Sequence, residues 1–92
     1  MIRSFQSRAT EQLWAGGHVR QFGAFEKQAL RKLDMLHHAQ SLADLRVPPA
    51  NRLEALAGDR KGQYSIRVND QWRICFSWTT EGPANVEIVD YH

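Results

Sequence analysis

The chain has little cysteine, no long apolar run and almost no excess of charge of one sign, and each shortage excludes a class of protein. A single cysteine, Cys75, cannot form an internal disulfide and is typical of a reducing compartment. Without a long apolar run there is no signal-peptide core or membrane span, so we expect a cytoplasmic protein without membrane contact. The formal net charge of +2 means that nucleic-acid binding would depend on where the cations lie. The P-loop, dinucleotide-binding and cysteine–histidine metal patterns are also missing, so we expect no metal and no cofactor.

Helical and strand periodicities divide the 92 residues into a helical first part and a strand-forming second part. Residues 7–15 have apolar side chains at helical spacing, and Ser7 is a favourable N-cap. Residues 24–40 form the clearest predicted helix, because an apolar side chain recurs every three or four positions. Strand periodicity begins after Pro48-Pro49. We therefore predict one α+β domain, residues 1–92, in which N-terminal helices pack on a small antiparallel β-sheet.

Some shorter segments carry weaker patterns. Residues 1–5 alternate and are predicted as a short strand, and residues 42–45 are predicted to extend the second helix by a further turn. His37 and His38, near the end of that helix, are expected to be solvated and to favour the helix dipole. Residues 51–57 suit a short helix on propensity alone.

Residues 64–68 and 72–78 are predicted to form a β-hairpin with one apolar and one polar face. The apolar side chains occupy even-numbered positions in both runs. Partners across the hairpin must therefore share parity, or one run would turn its aromatic side chains away from the core. The simplest register closes the hairpin with the loop 69–71 and places Arg67 directly opposite Arg73 on an open polar face.

The polar face of the hairpin is predicted to carry a cationic patch. Arg67 and Arg73 lie on it, and Arg60 and Lys61 belong to the turn that precedes it, with only two aspartates nearby. Like charges that face one another in a sheet repel, so this arrangement indicates an anionic partner, with phosphate as the first candidate. The alternative is that the arginines are solvated and lie over the sheet without a ligand.

The last three residues, Asp90, Tyr91 and His92, can perform acid–base chemistry or stacking. In an extended strand Asp90 and His92 lie on one side and Tyr91 on the other. The Asp90 carboxylate and a terminal carboxylate would both favour the protonated imidazole, so we expect the pKa of His92 to be raised. Such an acid suits the protonation of a leaving oxygen near neutral pH. The alternative is a frayed tail without a role.

Three segments together resemble the HigB branch of the RelE/ParE toxin superfamily. The longest is Gly58–Phe76, which reads GDRKGQYSIRVNDQWRICF, and the others are Asn51–Leu53 and Val86–His92. Residues 1–5 are also similar to the first strand of the family. The resemblance implies helices packed on a small antiparallel sheet, with residues 51–56 extended rather than helical.

The resemblance also implies a function and a set of partners. The chain is expected to be the toxin of a type II toxin–antitoxin system and a metal-independent, ribosome-dependent endoribonuclease that cleaves messenger RNA. The implied partners are the ribosome, messenger RNA and a helix-turn-helix antitoxin of the HigA kind. Contact with DNA would be indirect, through the antitoxin complex.

Arg73, Asp90, Tyr91 and His92 match catalytic positions of the family. The chain departs from the family at Glu54 and Ala57, where the best-described members have a histidine and a lysine. A second basic group is therefore missing, which leaves open a ParE-like toxin that poisons DNA gyrase, or a module that binds RNA or antitoxin with weak catalysis.

Cleavage of RNA without a metal needs a base for the 2′-hydroxyl, cations for the phosphate and an acid for the departing 5′-oxygen. We assign His92 as the acid and Arg73, helped by Arg67, as the phosphate clamp. Arg60 and Lys61 are expected to add phosphate contacts. The base is Glu54 or Asp90, or is supplied by the ribosome. Tyr91 and Tyr64 are candidates for stacking on a base.

Overall fold

The computed structural model describes residues 1–91 and has a four-stranded antiparallel sheet in which neighbouring strands follow one another along the chain. The strands are β1 (Glu54–Ala55), β2 (Gln63–Arg67), β3 (Trp72–Thr79) and β4 (Gly82–Asp90). Two helices, α1 (Arg8–Trp14) and α2 (Glu26–His38), precede them. The predicted α+β class, with N-terminal helices on a small antiparallel sheet, is confirmed. None of the helices in this part of the chain has the length and apolar character that a membrane crossing requires.

The β2–β3 hairpin has the register that the parity of its apolar residues predicts. Arg67 lies opposite Arg73, and the backbone nitrogen of Val68 donates to the carbonyl of Trp72 at 2.9 Å. The loop contains no glycine and is closed by Asn69, whose Oδ1 accepts from the backbone nitrogen of Trp72 at 2.8 Å. A short side chain of this kind can replace backbone turn contacts, which explains why the loop needs no glycine.

Both helices form where the sequence predicts them, but the second is shorter. Ser7 caps α1, and its Oγ accepts from the backbone nitrogen of Thr10 at 3.2 Å. The helix α2 follows a 3₁₀ helix, Arg20–Phe25, and ends at His38. The predicted extension through residues 42–45 is wrong, because Leu42–Arg46 is a separate 3₁₀ helix with its own capping box. That cap satisfies backbone donors that a continuous helix would have paired internally.

The core lies between the helices and the apolar face of the sheet, as the hairpin pattern predicts. Phe76 is completely buried, and Trp72 packs edge-on against Phe22 at a centroid distance of 5.7 Å. The fully buried apolar side chains of the helices and strands include Leu13, Phe22, Ala29, Leu33, Leu36, Ile66, Ile74, Phe76 and Val86. Because this cluster covers one face of the sheet, the functional groups must be sought on the other face.

The first residues run beside β4 but do not form the predicted strand. Only Phe5 makes a bridge, parallel to Val86, and the backbone nitrogen of Arg3 donates to Pro83 at 2.8 Å. The backbone nitrogen of Ile2 donates to Nδ1 of His37 at 3.2 Å, which requires that nitrogen to be unprotonated. Burial, helped by the nearby N-terminal ammonium group, lowers the pKa of His37. His37 is therefore a neutral acceptor and not the solvated, dipole-stabilising cation expected from its position.

The segment between Pro48 and β2 crosses the polar face of the sheet. It starts as a 3₁₀ helix, Pro49–Asn51, and Arg52 then has a left-handed backbone with φ 45° and ψ 56°. Only Glu54–Ala55 is paired, so the extended conformation expected for residues 51–56 is confirmed for two of them. Buried Asn51 fixes the segment, because its Oδ1 accepts from Lys32 at 2.6 Å and its Nδ2 donates to the Leu45 carbonyl at 3.1 Å.

Candidate active site

A polar pocket of about 310 Å³ lies on the face of the sheet opposite the core. It forms where the residues around β1, the loop between β2 and β3, and the residue after β4 come together. Its lining is Arg52, Glu54, Arg67, Asn69, Asp70, Arg73 and Tyr91. The pocket thus brings together four of the residues that the sequence predicts: Arg73, Arg67, Glu54 and Tyr91.

Arg73 forms the base of the pocket, and its guanidinium is buried rather than open to solvent. The residue is only 8% exposed. Nε donates to Oγ of Ser65 at 2.8 Å, and Nη2 donates to the backbone carbonyl of Arg52 at 2.6 Å. The expectation of an open face is therefore wrong at Arg73, because the segment that leads into the edge strand β1 brings the Arg52 carbonyl against this guanidinium.

The contacts of Arg73 leave one of its nitrogens available. Nε and Nη2 are engaged, and Nη2 also lies 3.6 Å from Oε1 of Glu54. Within residues 1–91, Nη1 has no hydrogen-bond acceptor. A guanidinium that is held through Nε and Nη2 and has an unengaged Nη1 is suited to present a donor to an oxyanion.

Glu54 and Tyr91 lie at the mouth of the pocket. Glu54 is exposed, so its carboxylate meets both the Arg73 guanidinium and solvent. The ring of Tyr91 is 6.0 Å from Cζ of Arg73 and 41% of the residue is exposed. The backbone nitrogen of Tyr91 donates to the carbonyl of Gln71 at 2.5 Å, which ties this residue to the hairpin loop. A cation, a carboxylate and an aromatic ring therefore surround one small space.

The predicted patch of four unpaired cations is not present as such. Arg67 forms an ion pair with Asp70 of the loop. Arg60 donates to Glu87 at 3.1 Å and to Gln63 at 3.0 Å, and it does not line the pocket. Lys61 is exposed and also lies outside the lining. The sequence implies repulsion between the facing residues Arg67 and Arg73, and the ion pair of Arg67 with Asp70 relieves it.

The remaining predicted residues lie elsewhere or outside the described part of the chain. Asp90 pairs with Trp72, which places it on the opposite side of β4 from the pocket, and its Oδ2 accepts from Gln71 at 3.1 Å. Tyr64 is partly buried and packs against Phe76 of the core with ring centroids 6.2 Å apart, and it does not line the pocket. His92, the predicted acid, lies outside the described residues.

Three of the lining residues were not predicted to belong to the site: Arg52, Asn69 and Asp70. Asn69 and Asp70 were read only as loop formers. Arg52 carries no periodic signal, and its left-handed backbone is uncommon for a residue other than glycine, asparagine or aspartate. No part of the sequence pattern shows that its carbonyl would meet Arg73.

The chemistry of the other reactive groups is unremarkable. Cys75 is completely buried on the polar face, and burial raises the pKa of its thiol, as expected for an unreactive cysteine. In the part of the chain that the structure describes, no three histidine, cysteine, aspartate or glutamate side chains are grouped as metal ligands.

Comparison with known families gives a match over nearly the whole chain. A family model described as a RelE-like toxin of the type II toxin–antitoxin system HigB matches residues 3–92. The chain is 46% identical over 69 residues to Toxin HigB-1 of Vibrio cholerae, which covers 75% of this chain and 72% of that protein. It is 28% identical over 93 residues to Endoribonuclease HigB of Proteus vulgaris, with 100% of both chains covered.

Solved structures share the fold at lower sequence identity. The YoeB–YefM complex from Staphylococcus aureus contains a chain with a TM-score of 0.62 and 18% identity, covering 100% of this chain and 98% of that one. The YoeB dimer from the same organism gives a TM-score of 0.56 and 20% identity, covering 99% and 97%. These likenesses confirm the helix-on-sheet architecture.

Proposed function

The chain belongs to the HigB family of RelE-like toxins from type II toxin–antitoxin systems, and from that premise we propose that it is a metal-independent endoribonuclease that cuts messenger RNA on the ribosome. The observation that carries the proposal is the Arg73 guanidinium, held at the base of a polar pocket beside a carboxylate and an aromatic ring. The relative from Proteus vulgaris that aligns over the full length is named an endoribonuclease.

The phosphate of the scissile bond binds at Arg73. The Nη1 nitrogen of Arg73 donates to a non-bridging oxygen of this phosphate. Because the guanidinium is fixed in position, it need not reorganise as negative charge builds up at phosphorus. Arg67 assists from the opposite strand after its ion pair with Asp70 opens. Arg60 and Lys61 bind more distant phosphates, since they lie outside the pocket.

Two groups move the protons. Glu54 accepts the proton of the 2′-hydroxyl, whose oxygen attacks the adjacent phosphorus and forms a cyclic phosphate. His92 donates a proton to the 5′-oxygen as its bond to phosphorus breaks. Asp90 is a positioning residue, because its contact with Gln71 supports the loop that also holds the backbone of Tyr91.

Tyr91 selects single-stranded RNA. Its ring is exposed beside Arg73, where an unstacked base can lie against it. Stacking on an aromatic ring is available to any base that is free of a duplex. The decoding site of the ribosome presents messenger RNA in a single-stranded form, and the modest net charge of +2 suits a protein that gains RNA affinity from a larger complex.

The proposal also specifies where the protein acts and what controls it. We place it in the cytoplasm, where ribosomes translate messengers. A cognate helix-turn-helix antitoxin neutralises it, and contact with DNA occurs only through that antitoxin. The related fold in Staphylococcus aureus was solved as a YoeB–YefM complex.

The decisive experiment is primer extension on a messenger in a purified translation system. Cuts within codons at the ribosomal A site, lost when translation initiation is blocked, are the expected result. A parallel assay with DNA gyrase tests the other toxin class of the superfamily. An intact messenger together with accumulated gyrase cleavage complexes would overturn the nuclease proposal, and an intact messenger with ribosome binding retained would reduce the protein to a binding module.

Ser65→Ala tests whether the hold on Arg73 matters for cleavage. Loss of Oγ leaves Nε of a buried guanidinium without its 2.8 Å acceptor, so the fork can turn. We expect single-turnover cleavage to fall by about 10–100-fold and the free energy of unfolding to fall by about 1–3 kcal/mol. Ser65→Thr keeps the hydroxyl and should restore cleavage.

Ser77→Ala is the matched control for this test. Ser77 is on the same face of the sheet, opposite Gln63, and within residues 1–91 its hydroxyl has no hydrogen-bond partner. The Ser77→Ala protein should cleave messenger at the parental rate. If Ser65→Ala loses stability but cleaves as fast as the parent, Ser65 supports only the fold.

A further inference from the structure

The charges that line the pocket do not cancel, and the excess can be assigned to one residue. The lining contains three arginines, Arg52, Arg67 and Arg73, and two carboxylates, Glu54 and Asp70. Asp70 pairs with Arg67, and Glu54 lies 3.6 Å from Arg73. Within residues 1–91 the guanidinium of Arg52 has no hydrogen bond or ion pair. Arg52 is therefore the uncompensated cation of the pocket.

The backbone of Arg52 is held in an unusual conformation at the same place. Its φ of 45° and ψ of 56° lie in the left-handed region, which is unfavourable for a residue with a Cβ atom. The conformation is maintained by the buried Arg73, whose Nη2 donates to the Arg52 carbonyl at 2.6 Å, and by the neighbouring Asn51. Arg52 thus lines the pocket, its carbonyl accepts from Arg73, and the residue as a whole is exposed.

We infer that Arg52 is a second phosphate-binding residue of this site, which contacts the RNA phosphate next to the one held by Arg73. This inference rests on the proposed function and extends it to a residue with no assigned role. Arg52 supplies, from the segment leading into β1, the positive charge that Glu54 does not. A carboxylate at position 54 can then serve as a base without leaving the pocket short of positive charge.

Arg52→Asn separates the side chain of Arg52 from its backbone. Asparagine tolerates the left-handed region better than arginine, so the carbonyl that holds Arg73 stays in place and the melting temperature should not fall. The probe is a ribosome complex programmed with a messenger that carries 2′-O-methyl groups at the A-site codon, which can be bound but not cut. We expect the dissociation constant to rise by about tenfold, the loss typical of one charge-assisted hydrogen bond.

Two further readouts identify the lost contact as a phosphate contact. The slope of log affinity against log salt should become shallower by about 0.7, the value for one phosphate contact on a single strand. On a cleavable messenger the KM should rise while kcat changes little, because the contact exists in the ground state and the transition state alike. Arg52→Lys, which keeps the charge, should retain the parental salt slope.

Arg8→Asn is the control for net charge. It removes the same charge from the exposed start of α1, in the helix layer on the other face of the sheet, and should leave binding and salt slope unchanged. Parental affinity and salt slope in Arg52→Asn would overturn the inference, as would equal losses in Arg52→Asn and Arg8→Asn. Because the methylated messenger reports binding alone, failure of the parent to cut RNA would overturn the nuclease proposal separately.

Discussion

Arg73→Ala is expected to slow messenger cleavage by about 10²–10³-fold, the usual loss when one preorganised donor to a developing oxyanion is removed. Arg73 is the best-positioned cation of the pocket, because three acceptor atoms of the protein fix its Nε and Nη2 while, within residues 1–91, Nη1 has no acceptor. The change should appear mainly in the single-turnover rate on programmed ribosomes. Toxicity in cells should be lost with it.

The same substitution also affects the fold, because the guanidinium is buried. Without it, the hydroxyl of Ser65 and the carbonyl of Arg52 lose their donors, so the free energy of unfolding should fall by about 1–3 kcal/mol. The kinetic measurement therefore needs a thermal melt of the same preparation. A folded Arg73→Ala protein that cuts at the parental rate would remove Arg73 from the mechanism.

Arg73→Lys distinguishes positive charge from geometry. Lysine keeps the charge but cannot donate to Ser65, to the Arg52 carbonyl and to a phosphate in the fixed plane of a guanidinium. We expect it to cut almost as poorly as the alanine variant. Arg8→Ala removes an exposed arginine from α1 and provides the matched control, with parental cleavage and stability.

The fold was predictable where side-chain spacing determines it. Parity together with the short loop 69–71 gives the register of the β2–β3 hairpin and the buried positions of Ile66, Ile74 and Phe76, because a shift by one residue would expose all of them. The N-cap of α1 and the body of α2 are equally local. The first residues were predicted as a strand because they alternate; they do run beside β4 and form single backbone hydrogen bonds with it, but only Phe5 makes a bridge.

The site was predictable only in part, since its depth depends on contacts between distant segments. The sequence identifies Arg73 and Tyr91 as candidates and places Arg73 on the polar face, but it does not show that Arg73 is covered. That cover is produced by Arg52, 21 residues away, through a left-handed backbone and one carbonyl. Asp90 neighbours Tyr91 in sequence, but it lies on the other side of β4, as the alternation of side chains in a strand predicts.

The structure changes the interpretation of Glu54, the position at which the chain departs from the family pattern. From sequence, a glutamate in place of a basic residue indicates a weakened site. The structure places its Oε1 3.6 Å from Nη2 of Arg73, beside the nitrogen that faces the phosphate in our proposal. In our proposal a carboxylate there accepts the proton of the hydroxyl that attacks this phosphorus, and the substitution then changes the chemical identity of the base without removing it.

The second large effect is expected in the pH dependence of cleavage, which separates the base from the acid. Glu54 must be deprotonated to accept a proton, so the rate should rise with pH on the acidic side of the profile. His92 must be protonated to donate, so the rate should fall as pH rises on the alkaline side; an imidazole titrates near about 6.5 in model peptides. Each residue should contribute about 10²–10⁴-fold to the single-turnover rate.

The two variants Glu54→Gln and His92→Ala should each remove one side of this profile. Glu54→Gln should cut slowly and lose the rise at low pH, while His92→Ala should cut slowly and lose the fall at high pH. Both should bind the methylated messenger complex with parental affinity.

The controls for these variants are Glu81→Gln and His18→Ala. Glu81 lies in the exposed turn before β4, and the side chain of His18 is 92% exposed. A His92→Ala protein with the parental rate would transfer the role of acid to the ribosome or to water. A Glu54→Gln protein with an unchanged acidic side would exclude Glu54 as the base, and its proximity to Arg73 would then be only an ion pair that RNA displaces.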